Sequence, residues 1–128
     1  MKTSKDCPFC YNNVQSKIVD RYQSVIAIAD EHPVSDGHLL IIPIRHSIDY
    51  FSLSERERRD ADRLIQICRK RISTNDSSVT GFNIGINNGE SAGQTIFHSH
   101  IHLIPRRDGD TPQPRGGVRG VIPDKMGY

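Results

Sequence analysis

Five stretches of the chain have hydrophobic patterns that predict β-strands. Two β-prone runs, residues 18–22 and 24–29, have little between them and favour a hairpin. Residues 38–43 are apolar almost throughout, which is typical of a buried strand that ends at its proline. Residues 80–87 alternate between apolar and small or polar side chains, and residues 95–105 are apolar and β-prone. A short loop joins these last two stretches, so we expect them to pair as antiparallel neighbours.

One long helix is predicted between the third and fourth stretches. Ser54 and Glu57 have the spacing of a capping box at a helix N-terminus. Apolar side chains then recur at helical spacing, at positions 61, 64, 65, 68 and 72. Cys68 lies on this stripe, so we interpret it as a core residue and the arginines beside it as a solvated face. Strands in sequence around one long helix indicate an α+β domain with an antiparallel sheet.

Length and charge limit the class of protein. The 128 residues suit a single domain with its own core. A net charge of +2 is too small to indicate a surface for duplex nucleic acid, and few aromatic residues are present to stack on single strands. No apolar run approaches the ~18 residues of a membrane span. The lysines near the start have no apolar run behind them, so we expect no secretory signal and a cytoplasmic protein with reduced cysteines.

Three histidines alternate in the last predicted strand: His98, His100 and His102. Residues two apart on a strand share a face, so the three imidazoles should project from one side, about 6–7 Å apart. Burying three polar rings together is costly unless each has a partner. Two interpretations follow: a metal ion held by a row of imidazoles, or a nucleophile with supporting histidines.

The loop before the histidines, residues 87–95, contains Gly89 and Gly93. Glycines let a backbone approach a bulky anion, and the amides of such a loop can form a concave set of donors for phosphate. The signal is weak alone, but it directly precedes the three histidines.

These features together resemble the histidine triad (HIT) family of nucleotide hydrolases and transferases. Residues 93–105, G-Q-T-I-F-H-S-H-I-H-L-I-P, look like its signature, and residues 30–43 are similar to its first nucleotide-binding segment. Residues 7–10, C-P-F-C, and 43–46, P-I-R-H, are similar to a zinc-bearing, bacterial-type subset. Ser99 stands where the pattern usually has an apolar residue. It is expected to face away from the imidazoles and to affect packing more than catalysis.

The resemblance implies a fold and a reaction. The fold would be a sheet of about five strands with one long and one short helix, paired into a homodimer. His100 would attack the α-phosphorus of a nucleotide while a backbone carbonyl holds its other ring nitrogen. The product would be a nucleotidyl-histidine, which water then resolves. The expected substrates are purine nucleoside 5′-phosphate derivatives, such as diadenosine polyphosphates or nucleotide phosphoramidates.

The family pattern also implies roles for further residues, which would surround the phosphate and the nucleoside. The implied catalytic set is His100, His102, Gln94 and His38. The implied substrate-binding set is Asp30, Asn87, Gly93 and Thr95. Asp30 would accept hydrogen bonds from the ribose hydroxyls, as carboxylate geometry favours.

The cysteines add a predicted metal site. Cys7 and Cys10 have a spacing common in structural zinc sites, and the resemblance implies His46 and His98 as the other two ligands. Four protein ligands leave no open position, so this zinc would be structural. A metal-free knuckle with reduced thiols is the alternative; a thioredoxin-like redox pair is disfavoured because no βαβ pattern surrounds the cysteines.

Three other functions stay open from the sequence. The nucleotidyl group could pass to phosphate or another acceptor instead of water. The domain could be a non-catalytic nucleotide-binding module. The three triad histidines could bind one catalytic zinc.

The chain is expected to be one domain over residues 1–128, with its core in 7–105. Residues 106–128 are rich in glycine and proline and are predicted to form an extended tail. We interpret this tail as a solubilising segment or a strap across a dimer partner. The alternative is a cationic arm for polyphosphate or nucleic acid.

Overall fold

The computed structural model describes residues 6–128. The first five residues, on which the expectation about a secretory signal depends, lie outside the described residues. Five strands form one antiparallel sheet in the order β1-β2-β3-β5-β4. They are β1 (Ile18–Tyr22), β2 (Val25–Ala29), β3 (Leu39–Pro43), β4 (Val79–Gly85) and β5 (Ile101–Arg107). The predicted α+β class, the first hairpin and the pairing of the last two strands are confirmed.

Helices cover both faces of the sheet. The long helix α2 (Glu55–Asn75) begins with the predicted capping box: Ser54 Oγ accepts from the Glu57 amide at 3.0 Å, and Glu57 Oε1 accepts from the Ser54 amide at 2.8 Å. The short helix α1 (Tyr11–Val14) lies on the opposite face. No described helix has the length and apolar character needed to cross a bilayer.

The core explains why β2 and β3 are apolar at nearly every position. Alternate side chains of these strands, such as Ala27 and Ile41, pack against α2, where Cys68 is fully buried as predicted. The intervening ones, such as Ile26 and Ile42, pack against α1. Because both faces are covered, a polar side chain on either face would lose its contact with water.

The histidine segment departs from the predicted strand. β5 begins at Ile101, and residues 94–100 follow an irregular path. Of the three triad histidines, only His102 therefore lies on a strand, and the prediction that all three project from one strand face is wrong. The Ser99 amide donates to the Ser47 carbonyl at 2.6 Å, which holds this segment against the chain that follows β3. His98 turns fully into the interior, whereas His100 stays half-buried at a cavity.

The C-terminal segment is folded, so the prediction of an extended tail is wrong. β5 continues to Arg107, and two 3₁₀ turns follow at Gly117–Val121 and Pro123–Lys125. Gly116 has a φ of +98°, and a Cβ built on it would lie 2.4 Å from the Met126 carbonyl oxygen, so the chain doubles back where only glycine fits.

Candidate active site and metal-ligand cluster

A cavity of about 420 Å³ brings most of the predicted site residues together. Six of the eight predicted catalytic and substrate-binding residues line it: Asp30, Asn87, Gly93, Thr95, His100 and His102. One wall is apolar, with Phe9, Ile28 and Leu40. Lys17 and His32 also line the cavity, and neither was predicted. Space next to two imidazoles, with an apolar wall and a few polar groups, is the usual form of a small-molecule site.

The backbone fixes the ring of His100. Its Nδ1 lies 2.8 Å from the His98 carbonyl oxygen. A carbonyl oxygen accepts but cannot donate, so Nδ1 carries the proton and Nε2 of the neutral ring keeps its lone pair. The Phe9 ring contacts the same imidazole, with centroids 4.9 Å apart at an interplanar angle of 67°. His100 is therefore held on two sides with an unprotonated nitrogen available.

His38 and His102 form a directed pair. They are diagonal neighbours on one face of the sheet, because Leu40 of β3 is paired with His102 of β5. The Val34 amide donates to His38 Nδ1 at 3.2 Å, so the proton of neutral His38 lies on Nε2. This Nε2–H donates to His102 Nδ1 at 2.9 Å. The proton of neutral His102 therefore lies on its Nε2, which makes that atom a hydrogen-bond donor.

Burial keeps this pair neutral. It lowers the pKa of His38 below the ordinary value, and the nearby Asp30 carboxylate opposes the shift. Burial also lowers the pKa of His102, with His100 and His38 adding to the effect and Asp30 opposing it. Asp30 Oδ2 lies 3.4 Å from His38 Nε2, and Asp30 Oδ1 accepts from the His32 amide at 2.8 Å. Neutral rings at physiological pH preserve the tautomers assigned above.

The side chain of Gln94 is hydrogen-bonded to backbone groups, and Gln94 is not among the residues that line the cavity. Its Nε2 donates to the carbonyls of Ile48 at 2.6 Å and Ile96 at 3.1 Å, and its Oε1 accepts from the Gly89 amide at 2.8 Å. The resemblance implies that this side chain contacts phosphate or the leaving-group oxygen, whereas in the structure its hydrogen bonds go to these three backbone groups. Its contacts hold the loop whose end, at Thr95, reaches the cavity.

The four predicted metal ligands form one cluster, in which Cys7, Cys10 and His98 are buried and His46 is half-buried. Their ligand atoms, Sγ of Cys7 and Cys10 and Nδ1 of His46 and His98, all lie within 4.8 Å of one another. The four sulfur–nitrogen distances are 3.3 to 3.7 Å. Tetrahedral zinc with Zn–S of about 2.3 Å and Zn–N of about 2.0–2.1 Å would place such atoms about 3.6 Å apart. The donor set and its spacing fit that ion.

The surroundings of the cluster favour a bound cation. His98 Nε2 donates to the Pro43 carbonyl at 2.9 Å, which leaves Nδ1 unprotonated toward the sulfurs. Burial lowers the pKa of His98 to about 4, so its ring is neutral at pH 7. Burial also raises the pKa of Cys7 to about 11, so its thiolate needs a neighbouring cation to persist.

The geometry opposes a catalytic metal on the triad. The His98 ring belongs to the cysteine cluster, and His100 Nδ1 is bonded to a carbonyl. Asp30, His38 and His102 do form a second group of ligand atoms within 4.8 Å. However, the Val34 amide requires an unprotonated Nδ1 on His38, whereas a metal bound to Nε2 of the neutral ring would require Nδ1 to carry the proton.

Besides the positions of Lys17 and His32, sequence reasoning missed two features of this region. Phe9 lies between the two cysteines, and that position could have identified it as a wall of the cavity. Ser99 is buried, and its Oγ has no hydrogen-bond partner within the part of the chain that the structure describes. No sequence signal would have located that unpaired hydroxyl.

Comparison with known proteins agrees with this geometry. Adenylylsulfatase HINT3 of Arabidopsis thaliana is 39% identical over 113 residues, which are 82% of this chain and 54% of that protein. AP-4-A phosphorylase of Mycobacterium tuberculosis is 34% identical over 96 residues, 73% of this chain and 48% of that protein. This chain thus spans about half the length of both relatives.

Structural and profile comparisons extend over most of the domain. A Zn-bound histidine triad family protein from Mycobacterium smegmatis matches with a TM-score of 0.77 at 30% identity, covering 87% of this chain and 82% of the other. The HIT domain profile matches residues 12–109. The chain therefore belongs to the HIT family.

Proposed function

We propose that this protein cleaves nucleoside 5′-phosphate derivatives at the α-phosphorus through a covalent nucleotide on His100. The observation that carries the proposal is the 2.8 Å hydrogen bond from His100 Nδ1 to the His98 carbonyl, which leaves Nε2 as a free nucleophile at the cavity. The names of the two relatives above, an adenylylsulfatase and an AP-4-A phosphorylase, are consistent with adenylyl compounds as substrates.

The first half-reaction transfers the nucleotidyl group to the enzyme. The Nε2 lone pair of His100 forms a bond to the α-phosphorus. The bond from phosphorus to the leaving atom breaks, its electron pair goes to that atom, and the leaving group takes up a proton from solvent as required. The ring becomes positively charged, and the His98 carbonyl stabilises it by accepting from Nδ1–H. Because the displacement is divided into two steps, the same positioned nitrogen is the nucleophile in the first step and the leaving atom in the second.

In the second half-reaction, water attacks the phosphorus of the nucleotidyl-histidine. The N–P bond breaks, its electron pair returns to Nε2, and the water molecule loses a proton to solvent. The products are a nucleoside monophosphate and the regenerated neutral ring. His102 Nε2–H would donate to a phosphate oxygen in both half-reactions, where charge builds on the oxygens.

The cavity has separate regions for the parts of a nucleotide. The apolar wall of Phe9, Ile28 and Leu40 would take the base, which we propose is a purine. Asp30 would accept from ribose hydroxyls, although its carboxylate also faces His38. The loop end at Gly93 and Thr95 would contact the phosphate, and Asn87 would contact the nucleotide.

Zinc would be held by Cys7, Cys10, His46 and His98 and would be structural, because four protein ligands leave no position for substrate. A zinc ion bound there would cross-link two parts of the chain, because it would join the segment that carries Phe9 to the segment that carries His100. The homodimer and the cytoplasmic location expected from the sequence are part of this proposal.

Transfer to phosphate instead of water is the second candidate, since the phosphorylase relative shares about a third of its aligned residues with this chain. The test is to mix the protein with adenosine 5′-phosphosulfate, quench at short times and measure the intact mass. An adenylyl adduct on wild type that is lost in His100→Ala supports the proposal. Turnover by His100→Ala at the wild-type rate would overturn it. The product in ¹⁸O-labelled water, with and without phosphate, identifies the acceptor.

A further inference from the structure

Three residues that line the cavity beside the triad lie in one row across the sheet. His102 on β5 is paired with Leu40 on β3, and Leu40 is paired with Ile28 on β2. Ile28 is in turn paired with Ile18, the first residue of β1. Neighbouring strands lie about 4.8 Å apart, so the row spans roughly 14 Å from β5 to β1. The proposed phosphate donor, His102, stands at one end of this row, and the start of β1 lies at the other end.

Two charged side chains meet at the end of the row away from His102. Lys17 directly precedes β1, and Glu31 lies two residues beyond the end of β2. Both residues line the cavity, and Lys17 Nζ donates to Glu31 Oε2 at 3.0 Å. The two side chains are 49% and 71% exposed, and an ion pair as exposed as this contributes little to stability. Its position on the rim of a largely apolar cavity points to ligand recognition instead.

We infer that the Lys17–Glu31 ion pair binds the polar edge of the nucleotide base and selects guanine over adenine. The inference rests on the proposed function, because it takes the bound molecule to be a nucleotide whose phosphate lies at His100 and His102. It makes Lys17 and Glu31 specificity-determining residues, and the family resemblance assigned neither of them to the site.

The order of the parts of a nucleotide brings the base to this pair. With the phosphate at the triad, the ribose lies next along the cavity and the base lies beyond it. Asp30, the proposed acceptor for the ribose hydroxyls, lines the cavity and directly precedes Glu31 in the chain. Ile28 and Leu40 would cover a flat face of the base, which directs its polar edge toward the rim. The ammonium of Lys17 and the carboxylate of Glu31 are the charged groups at that part of the rim.

Guanine and adenine differ in the hydrogen bonds they can make to this pair. The ion pair uses Glu31 Oε2 and one N–H group of Lys17, so Oε1 and two further N–H groups can bind a ligand. The edge of guanine presents the acceptor O6 beside two donors, N1–H and the N2 amino group. The carboxylate can accept from both donors while the ammonium donates to O6. Adenine can make fewer such bonds, because its edge has one amino donor, N6, beside one acceptor, N1.

The test compares guanosine, inosine and adenosine 5′-phosphoramidates that share the same amine as leaving group. Inosine keeps O6 and N1–H and lacks the amino group at N2. For wild type, kcat/KM should fall in the order guanosine, inosine, adenosine, with guanosine about tenfold above adenosine. One additional charge-assisted hydrogen bond, partly screened by solvent at this exposure, corresponds to about that factor. Adenosine compounds remain substrates, at a lower kcat/KM.

Glu31→Gln should remove most of the preference for guanine, because an amide has one acceptor oxygen and its amino group opposes the donors of guanine. Asp36→Asn is the matched control, since Asp36 is an exposed acidic residue of the same loop and is not among the residues that line the cavity. The control should keep the wild-type preference. The double variant Lys17→Glu with Glu31→Lys can still form an ion pair, but it exchanges the donor and the acceptor, so it should also lose the preference.

Calorimetry separates base selection from catalysis. Binding of guanosine, inosine and adenosine 5′-monophosphate to His100→Ala should follow the same order without turnover, and Glu31→Gln in that background should remove the order. A wild-type protein that forms the His100 adduct but does not distinguish the three bases would overturn the inference and leave the proposed function intact. An equal loss of kcat/KM for all three bases in Glu31→Gln would overturn it too, because the pair would then only close the cavity. If no adduct forms with any base, the proposed function fails, and the calorimetric order alone decides whether the pair selects guanine.

Discussion

Replacing Ser99 by alanine should make the protein more stable. The Ser99 side chain is 1% exposed, and its Oγ has no partner among the described residues. A buried hydroxyl without a hydrogen bond costs about 1–3 kcal/mol. Removing the hydroxyl leaves a cavity the size of one atom, and this cavity lowers the free energy of unfolding by at most about 1 kcal/mol. We expect a net increase of about 1 kcal/mol in the free energy of unfolding.

Ser47→Ala is the matched control for this prediction. Ser47 is also buried, at 3% exposure, and its carbonyl accepts from the Ser99 amide, so the two serines share one environment. Its Oγ, however, donates to the Asp49 carbonyl at 3.3 Å. Alanine there should lower the free energy of unfolding by about 0.5–1.5 kcal/mol, because it removes a formed hydrogen bond.

Urea unfolding and thermal unfolding, both followed by circular dichroism, measure the changes in free energy and in melting temperature at equal metal content. The melting temperature should rise by about 3–6 °C in Ser99→Ala and fall in Ser47→Ala. Activity should be unchanged in Ser99→Ala, because its side chain is not among those lining the cavity. Destabilisation by both substitutions would refute the assignment of an unpaired hydroxyl at Ser99.

Three further predictions concern the site. Cys7→Ser should reduce bound zinc from about one ion per chain to near zero, as measured by metal analysis, and should lower the melting temperature measured by calorimetry. If the variant keeps its zinc, this cluster is not the site that binds it. Phe9→Ala should slow formation of the His100 adduct at saturating substrate while His100 stays reactive, as rapid-quench kinetics would report; an unchanged rate would mean that the ring does not position His100. The pKa of His38 is lowered in the folded state, so unfolding binds a proton and stability falls as pH drops below the unfolded value of about 6.5. His38→Gln should flatten that fall in pH-dependent urea titrations, and an equally steep fall would show that His38 does not contribute.

The fold is predictable where the chain repeats a simple pattern. The stripe from Ala61 to Ile72 and the capping box at Ser54 define α2 through local geometry alone. The continuous apolar runs of β2 and β3 indicate strands, and the structure explains them by burial on both faces.

Tertiary contacts override the strand pattern of the triad. An alternation of histidines at 98, 100 and 102 looks like one face of a strand. The hydrogen bond of the Ser99 amide to Ser47 and the position of the His98 ring among the cysteines bend the chain before β5 begins. Cys7 lies 91 residues from His98 along the chain, and Ser47 is also remote from Ser99. A local pattern therefore carries no information about these partners.

Residue types predict the cluster of four metal-ligating side chains better than they predict the contacts of the other site residues. Cys7, Cys10, His46 and His98 meet as the resemblance implies, yet the commitment of Gln94 to three backbone groups depends on the loop's path in space. The folded C-terminal segment depends on a close approach of Gly116 to Met126, which a glycine- and proline-rich composition does not reveal.

The proposed chemistry depends most directly on which nitrogen of His100 carries the proton. Long-range ¹H–¹⁵N correlation spectra of the zinc-loaded, nucleotide-free protein at a pH of about 7.5, above the ordinary histidine pKa, report this for each imidazole. We expect His100 as the Nδ1–H tautomer with a free Nε2, beside His38 and His102 as Nε2–H tautomers. A His100 ring that is protonated on Nε2, or whose Nε2 has the shift of a metal-bound nitrogen, would contradict the proposed nucleophile.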